Sequence, residues 1–215
     1  MTMMTNVNVY DLENAVISGG FAMIENFDEH QFDKDSLDFT TELFESEDHT
    51  DNKHFKRAVK LGNTAANSGH GNYLKGILVA FNLTCSNKMW IEAQRYGHFT
   101  IVTGMSTMHR ISKFDLDEAF NEYTDPVIIS RLEELQEMYN LTKDKEDYLK
   151  LLYSTPAGLE MTGRVTTNYL QLMNMWQQRH NHRLPEWRQF CDELLEKLPL
   201  FKEFLIANGS IKEGE

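Results

Sequence analysis

At 215 residues the chain is long enough for one domain with a sizeable core, and it holds no apolar run long enough to span a bilayer. A formal net charge of −12 argues against a surface that coats a nucleic-acid polymer or an anionic membrane, so any local cationic site stands out. The two cysteines, Cys85 and Cys191, lie far apart with no CxxC, and "MTMMTNVNVYDLENAV" lacks a signal peptide's charged start and apolar middle. Both features point to a reducing, cytoplasmic setting.

Residues 7–27 contain short β-prone stretches broken by Gly19 and Gly20, which predicts one or two strands. Residues 28–53 are acidic, with Phe27, Phe32, Phe39 and Phe44 dispersed through and beside them, and read as a solvated face of short helices. A helix of modest amphipathicity follows, ended by Gly69. "GILVAFNLTCS" is apolar on both faces and predicts an internal strand. Helical spacing returns in "NKMWIEAQRYGHF", and "TIVTGMSTMHRIS" is strand-like with a break at Gly104. Beyond it the pattern is helical in "DLDEAFNEY", "DPVIISRLEELQEMYNL", "DKEDYLKLLYS", the stretch from Asn168, and "PEWRQFCDELLEKLPLFKEFLIANG". Asp125-Pro126 and Leu184-Pro185 mark helix starts and Gly209 a stop. Strands with an inserted helix, then a run of helices, predict an α+β fold with a central antiparallel or mixed sheet and a largely helical C-terminal half.

Chemical motifs are sparse. There is no Walker A loop, no GxGxxG after a strand, no HExxH and no GxSxG. In "RHNHR", His180 and His182 do not share a helix face and have no second ligand pair at zinc spacing, so no metal site is expected. Cations at a helix C-terminus, stopped by Pro185, suit the macrodipole, which accounts for one or two charges more comfortably than for Arg179, His180, His182 and Arg183 together. Asn168, Gln171 and Asn174 fall at i, i+3 and i+6 beside the core positions Leu172 and Met175. Such amides either pair with structural partners or meet a ligand rich in donors and acceptors, with Arg179 gripping its anionic end. The apolar residues of the same helix (Leu170, Leu172, Met173, Met175, Trp176) exceed what one protomer core usually requires and suggest an oligomer interface.

"PAGLEMTGRVTTNYLQLMNMWQQR" resembles the C-terminal helix of the flavin-dependent thymidylate synthases, the ThyX family, of the form Pro-x11-Asn-x-Arg-x-x-Leu-Met-Asn-x4-Arg. Pro156, Asn168, Leu172, Met173, Asn174 and Arg179 fall in place without a gap. "PEWRQF" looks like the aromatic element that follows, and "SGHGNYLKG" before "ILVAFNLT" is similar to the family's flavin loop and core strand. "MWIEAQRYGHF" occupies the place of the helix entering the signature RHRxxSxNxxSxR, whose end stands as Arg110, Ile111, Ser112 and Lys113. The resemblance spans about residues 55–205 of a single domain, 1–215, whose first 54 residues form a variable acidic part.

The resemblance implies a homotetramer with active sites built from several subunits, each binding FAD and dUMP. NADPH supplies a hydride, methylenetetrahydrofolate a methylene, and dTMP leaves. Carried over by position, His70, Asn168 and Asn174 contact the flavin, with His98 at the signature. Arg110 meets the nucleotide phosphate, beside Ser106 and His109, and Arg179 grips dUMP and polarises its uracil. Several positions depart from the pattern. Gly97 and Phe99 stand for arginines, Leu170 for the second arginine of Asn-x-Arg, and Lys75 for a glutamate. Each lost charge-assisted phosphate contact removes about 1.5–3 kcal/mol. Lys75, His109 and Lys113 are the replacement candidates. Two functions follow as expectations: flavin-dependent C5 modification of a pyrimidine deoxynucleotide, a transferase reaction, or a non-catalytic relative that binds or sequesters a nucleotide.

Overall fold

A computed structural model describes residues 2–46, 49, 51–62 and 69–212. Among them, β1 (Met4–Tyr10) leads into α1 (Leu12–Ser18), α2 (Glu29–Glu45) and α3 (Lys53–Gly62). A 3-10 helix, His70–Lys75, precedes β2 (Leu78–Ser86), α4 (Asn87–Ala93), β3 (Thr100–Gly104) and α5 (Thr107–Arg110). Then come α6 (Pro126–Thr142), α7 (Lys145–Tyr153), β4 (Glu160–Asn168), α8 (Tyr169–Arg179), α9 (Pro185–Lys197) and α10 (Phe201–Ala207). The four strands form one antiparallel sheet in the order β1-β2-β4-β3, so the α+β expectation holds and β2 is internal as its two apolar faces require.

Contacts are densest within two compact units, one of residues 1–6 and 81–165, the other of 7–80 and 166–215. Strands β1, β2 and β4 each begin in one unit and end in the other. In the first unit α6 and α7 close over Ile111, Leu116 and Leu159, joined by Leu132, Leu135 and Leu151. Asp125 caps α6 by accepting the Val127 N–H at 2.8 Å, with Pro126 in the first turn where no N–H is needed. Trp90 of α4 lies on Gly163 of β4 and donates its indole N–H to the Met161 carbonyl at 3.0 Å. A Cβ at Gly163 would sit 3.0 Å from that ring, so the strand needs a glycine there for close approach. In the second unit Tyr169 is fully buried between Phe201 and Phe204, and its hydroxyl donates to the Pro199 carbonyl at 2.7 Å.

Several local expectations are corrected. Within 7–27 only Val7–Tyr10 belong to a strand, and the following apolar residues Leu12, Ala15, Val16 and Ile17 form the buried face of α1. Among its described residues the acidic segment forms the 17-residue helix α2, capped by Asp28 and burying Phe39. "DLDEAFNEY" is turns with an isolated bridge between Phe120 and Leu159, not a helix. Beyond Gly104 the expected strand gives way to α5. The stretch before Asn168 is β4, and Leu200, at φ 57°, separates α9 from α10. The helix expected to end at Gly69 runs to Gly62, and residues 63–68 of that expectation lie outside the described residues.

Candidate functional site

The candidate residues divide between the two units. His70, Asn168, Asn174 and Arg179 belong to the second unit, and His98, Ser106, His109 and Arg110 to the first.

In the second unit β4 passes directly into α8 at Asn168. Its backbone is extended, and its side-chain oxygen accepts the Gln171 N–H at 2.9 Å. Asn168 is therefore the N-cap of α8, not part of an amide row along it, and its Nδ2 donors remain for a neighbour. Asn174 is exposed, and its side chain has no partner among the described residues. The 3-10 helix carrying the exposed His70 packs against α8, which brings the two flavin-candidate segments together. Leu172, Met173, Met175 and Trp176 are buried within the protomer and Leu170 is half-buried, so α8 has no surplus apolar face to offer an interface.

The cations at the end of α8 serve the turn into α9. Arg179 is half-buried, its guanidinium carbon 4.8 Å from the centre of the Trp187 ring, and its Nη1 lies 2.8 Å from His182 Nε2. The Leu184 N–H points at His182 Nδ1 from 3.2 Å. A neutral imidazole has one lone pair, so these two donors compete for it. His180 stacks on Trp176 at 4.3 Å and 8°, and Arg188 donates to the His182 carbonyl at 2.6 Å. Burial pushes the neighbouring Cys191 thiol up to about 12, which leaves an unreactive group beside the guanidinium. Arg179 thus has a planar, braced position, and sequence spacing alone could not reveal the brace because Trp187 lies on the next helix.

In the first unit, α6 holds the segment that follows β3. Gln136 Nε2 donates to the Ile111 and Phe114 carbonyls at 3.0 and 2.9 Å, Asn140 Nδ2 to the Ser112 carbonyl at 3.1 Å, and the Tyr148 hydroxyl to the Met108 carbonyl. Fixed this way, His109, Arg110 and Lys113 are exposed, with no side-chain partner among the described residues. Ser106 is half-buried and its carbonyl accepts the Arg110 N–H at 3.1 Å. His98 is exposed in a turn. Phe99, where the family pattern has an arginine, is buried edge-on against Phe81 with ring centres 6.1 Å apart. At Gly97 a Cβ would meet nothing within 4 Å. Among the described residues no group of three or more His, Cys, Asp or Glu is placed to hold a metal ion, and no helix is long and apolar enough to cross a membrane.

If Asn168 matters first as a cap, Asn168→Ala should lower the unfolding free energy by about 1 kcal/mol, while Asn168→Asp, which also caps, should not. Urea denaturation compares the two variants, and equal losses would show that the amide nitrogen matters more than the oxygen.

No family model and no curated protein matches the sequence. Solved structures do match along the whole chain. Flavin-dependent thymidylate synthase ThyX from Helicobacter pylori, complexed with FAD and dUMP, superposes with a TM-score of 0.67 at 15% identity, covering 95% of this chain and 97% of that one. The UMP/dUMP methylase PolB from Streptomyces cacaoi, bound with 5-Br UMP, gives 0.60 at 13% identity, covering 98% and 97%. The fold is ThyX-like.

Proposed function

We propose that the chain binds a pyrimidine deoxynucleotide of the dUMP type together with FAD, and acts on C5 of the base in a homotetramer with shared clefts. The observation that carries this reading is the ThyX-like fold combined with uncommitted polar groups at the positions of the resemblance. Those groups are His70 and Asn174 in one unit and His109, Arg110 and Lys113 in the other. The amide donors of Asn168 and Asn174, on elements packed with His70, fit the acceptor-rich edge of an isoalloxazine ring. When bound, the flavin would supply hydride chemistry, with NADPH and methylenetetrahydrofolate as the corresponding donors. The protein's own part is to orient and to stabilise charge. Arg110, with His109 and Lys113 beside it, receives the nucleotide phosphate, and the braced Arg179 presents N–H groups to a uracil carbonyl as charge builds there.

Phe99 and Gly97 favour the second reading, a relative that binds a nucleotide without catalysis, because one lost arginine is now a core side chain and the other is absent. An absorbance spectrum of the purified protein, followed by calorimetric titration with dUMP, separates the two. Flavin bands with saturable dUMP binding support the first, a colourless protein that binds dUMP supports the second, and neither behaviour overturns both.

Position 97 allows a gain-of-function test. Because the site is open and exposed, Gly97→Arg should fold normally and tighten phosphate-ligand binding about tenfold or more, the worth of one charge-assisted contact. An unchanged dUMP and FAD titration would show that residue 97 lies away from the ligand.

A further inference from the structure

The second unit contains a cavity of about 370 Å³ between the end of α1, the start of α2 and the first turns of α3. It lies in the acidic N-terminal part that the resemblance does not reach, apart from its last contributor, Arg57. Its floor is a chain of polar groups. Asp35 Oδ2 is 3.0 Å from His54 Nε2, and His54 Nδ1 is 3.0 Å from Arg57 Nη2, which also donates to the Ile17 carbonyl at 2.8 Å. His54 is 94% buried, its relative exposure being 6%. Since Nδ1 faces a guanidinium N–H, it must offer its lone pair, which puts the ring proton on Nε2, close to Asp35 but not aligned with it as a hydrogen bond.

This arrangement leaves Arg57 without a hydrogen-bonded carboxylate, and Asp35 acts on it only through space. Asp35 is engaged by Lys53 at 3.1 Å and Gln31 at 2.9 Å, and Asp28 accepts the Gln31 N–H as the cap of α2. The hydrogen-bond partners of Arg57 among the described residues are a carbonyl and an imidazole, both neutral acceptors, and its Nε–H is buried with no partner. Burial lowers the Arg57 pKa, as a desolvated guanidinium with incomplete pairing should show. Gly20 makes room for it, since a Cβ there would stand 2.2 Å from the guanidinium carbon. The wall is apolar. Phe21, Phe27 and Phe32 form a ring cluster with centres 5.6–5.9 Å apart, and Phe21 and Phe27 remain 45% and 59% exposed.

We propose that this cavity binds a small carboxylic acid with a planar apolar body, its carboxylate on Arg57 and its ring against Phe21 and Phe27. Charge favours a ligand with one negative unit over one with two. Asp28 and Asp35 already balance Lys53 and Arg57 around the cavity, so a monocarboxylate adds one uncompensated negative unit and a phosphate dianion two, which is the costlier. A pocket of this size takes one or two rings. The site is separate from the nucleotide-binding reading and stands or falls without it.

Benzoate titrated calorimetrically into the full chain is the test, with benzamide as the neutral isostere and acetate as the ringless acid. Benzoate should saturate, and benzamide and acetate should each bind at least about tenfold more weakly. Arg57→Gln should weaken benzoate by about the same factor, and Gly20→Ala should do so by displacing the guanidinium. Phe27→Ala removes an exposed ring, so it tests the wall even where Arg57→Gln does not fold, and it should leave dUMP titration unchanged. No saturable benzoate binding, equal binding of benzamide, or a Phe27→Ala variant that binds benzoate like the parent would overturn the proposal.

Discussion

Trp187→Ala should lower the unfolding free energy by about 3–5 kcal/mol, the usual cost of deleting a large buried aromatic and leaving a cavity. The side chain is fully buried, meets Phe190 edge-on at 5.8 Å, and stands in the first turn of α9 just after Pro185. Its other face carries the Arg179 guanidinium, so the substitution removes a packing core and a cation–π partner together. Chemical denaturation measures the loss. Trp187→Phe should recover most of it, whereas Phe44→Ala, at an 87% exposed position, should stay within about 0.5 kcal/mol of the parent. A Trp187→Ala loss below about 1 kcal/mol would mean that the turn between α8 and α9 is not packed as described.

Arg179→Ala carries the second large effect. If Arg179 meets the nucleotide, dUMP affinity should fall by about 2–4 kcal/mol, because a partly buried, charge-assisted contact is removed. Stability should fall less, by about 0.5–2 kcal/mol, the range of a cation–π contact on Trp187. Arg179→Lys is the informative companion. It keeps the charge but loses the planar fork, so it should recover stability better than affinity. Titration calorimetry beside thermal melts distinguishes the roles. A lowered melting temperature with unchanged dUMP binding would assign the cluster to the turn alone.

The legible parts of the fold were those whose local pattern agreed with their surroundings. β2 declares itself by apolar residues on both faces, and α6 by Asp125-Pro126 ahead of a helical period. β4 does not declare itself, although Gly163, Val165 and Thr167 are buried in strict alternation with Thr162, Arg164 and Thr166. With only Val165 apolar beside a glycine and a threonine, the inward face makes a weak apolar signal, and the motif that continues to Arg179 invites a single helical reading. Phe39 is buried while Phe44 is almost bare, a difference set by which turn of α2 meets a neighbour. For the candidate residues, sequence supplies the expectation and not the commitments that the structure shows. No spacing rule says that the Asn168 oxygen caps a helix, that Phe99 fills a core, or that Arg179 rests on Trp187.

The division of the chain bears on how it is made. Neither unit is a continuous stretch of polypeptide, since one needs residues 1–6 with 81–165 and the other 7–80 with 166–215. A ribosome delivering residues in order cannot complete the first unit until Val165 has emerged, nor the second until α10 has. β1 waits for its sheet neighbour β2, translated only after Gly76, and contacts so distant in sequence slow folding. Nascent chains arrested before β4 should therefore remain protease-sensitive in the segments of both units.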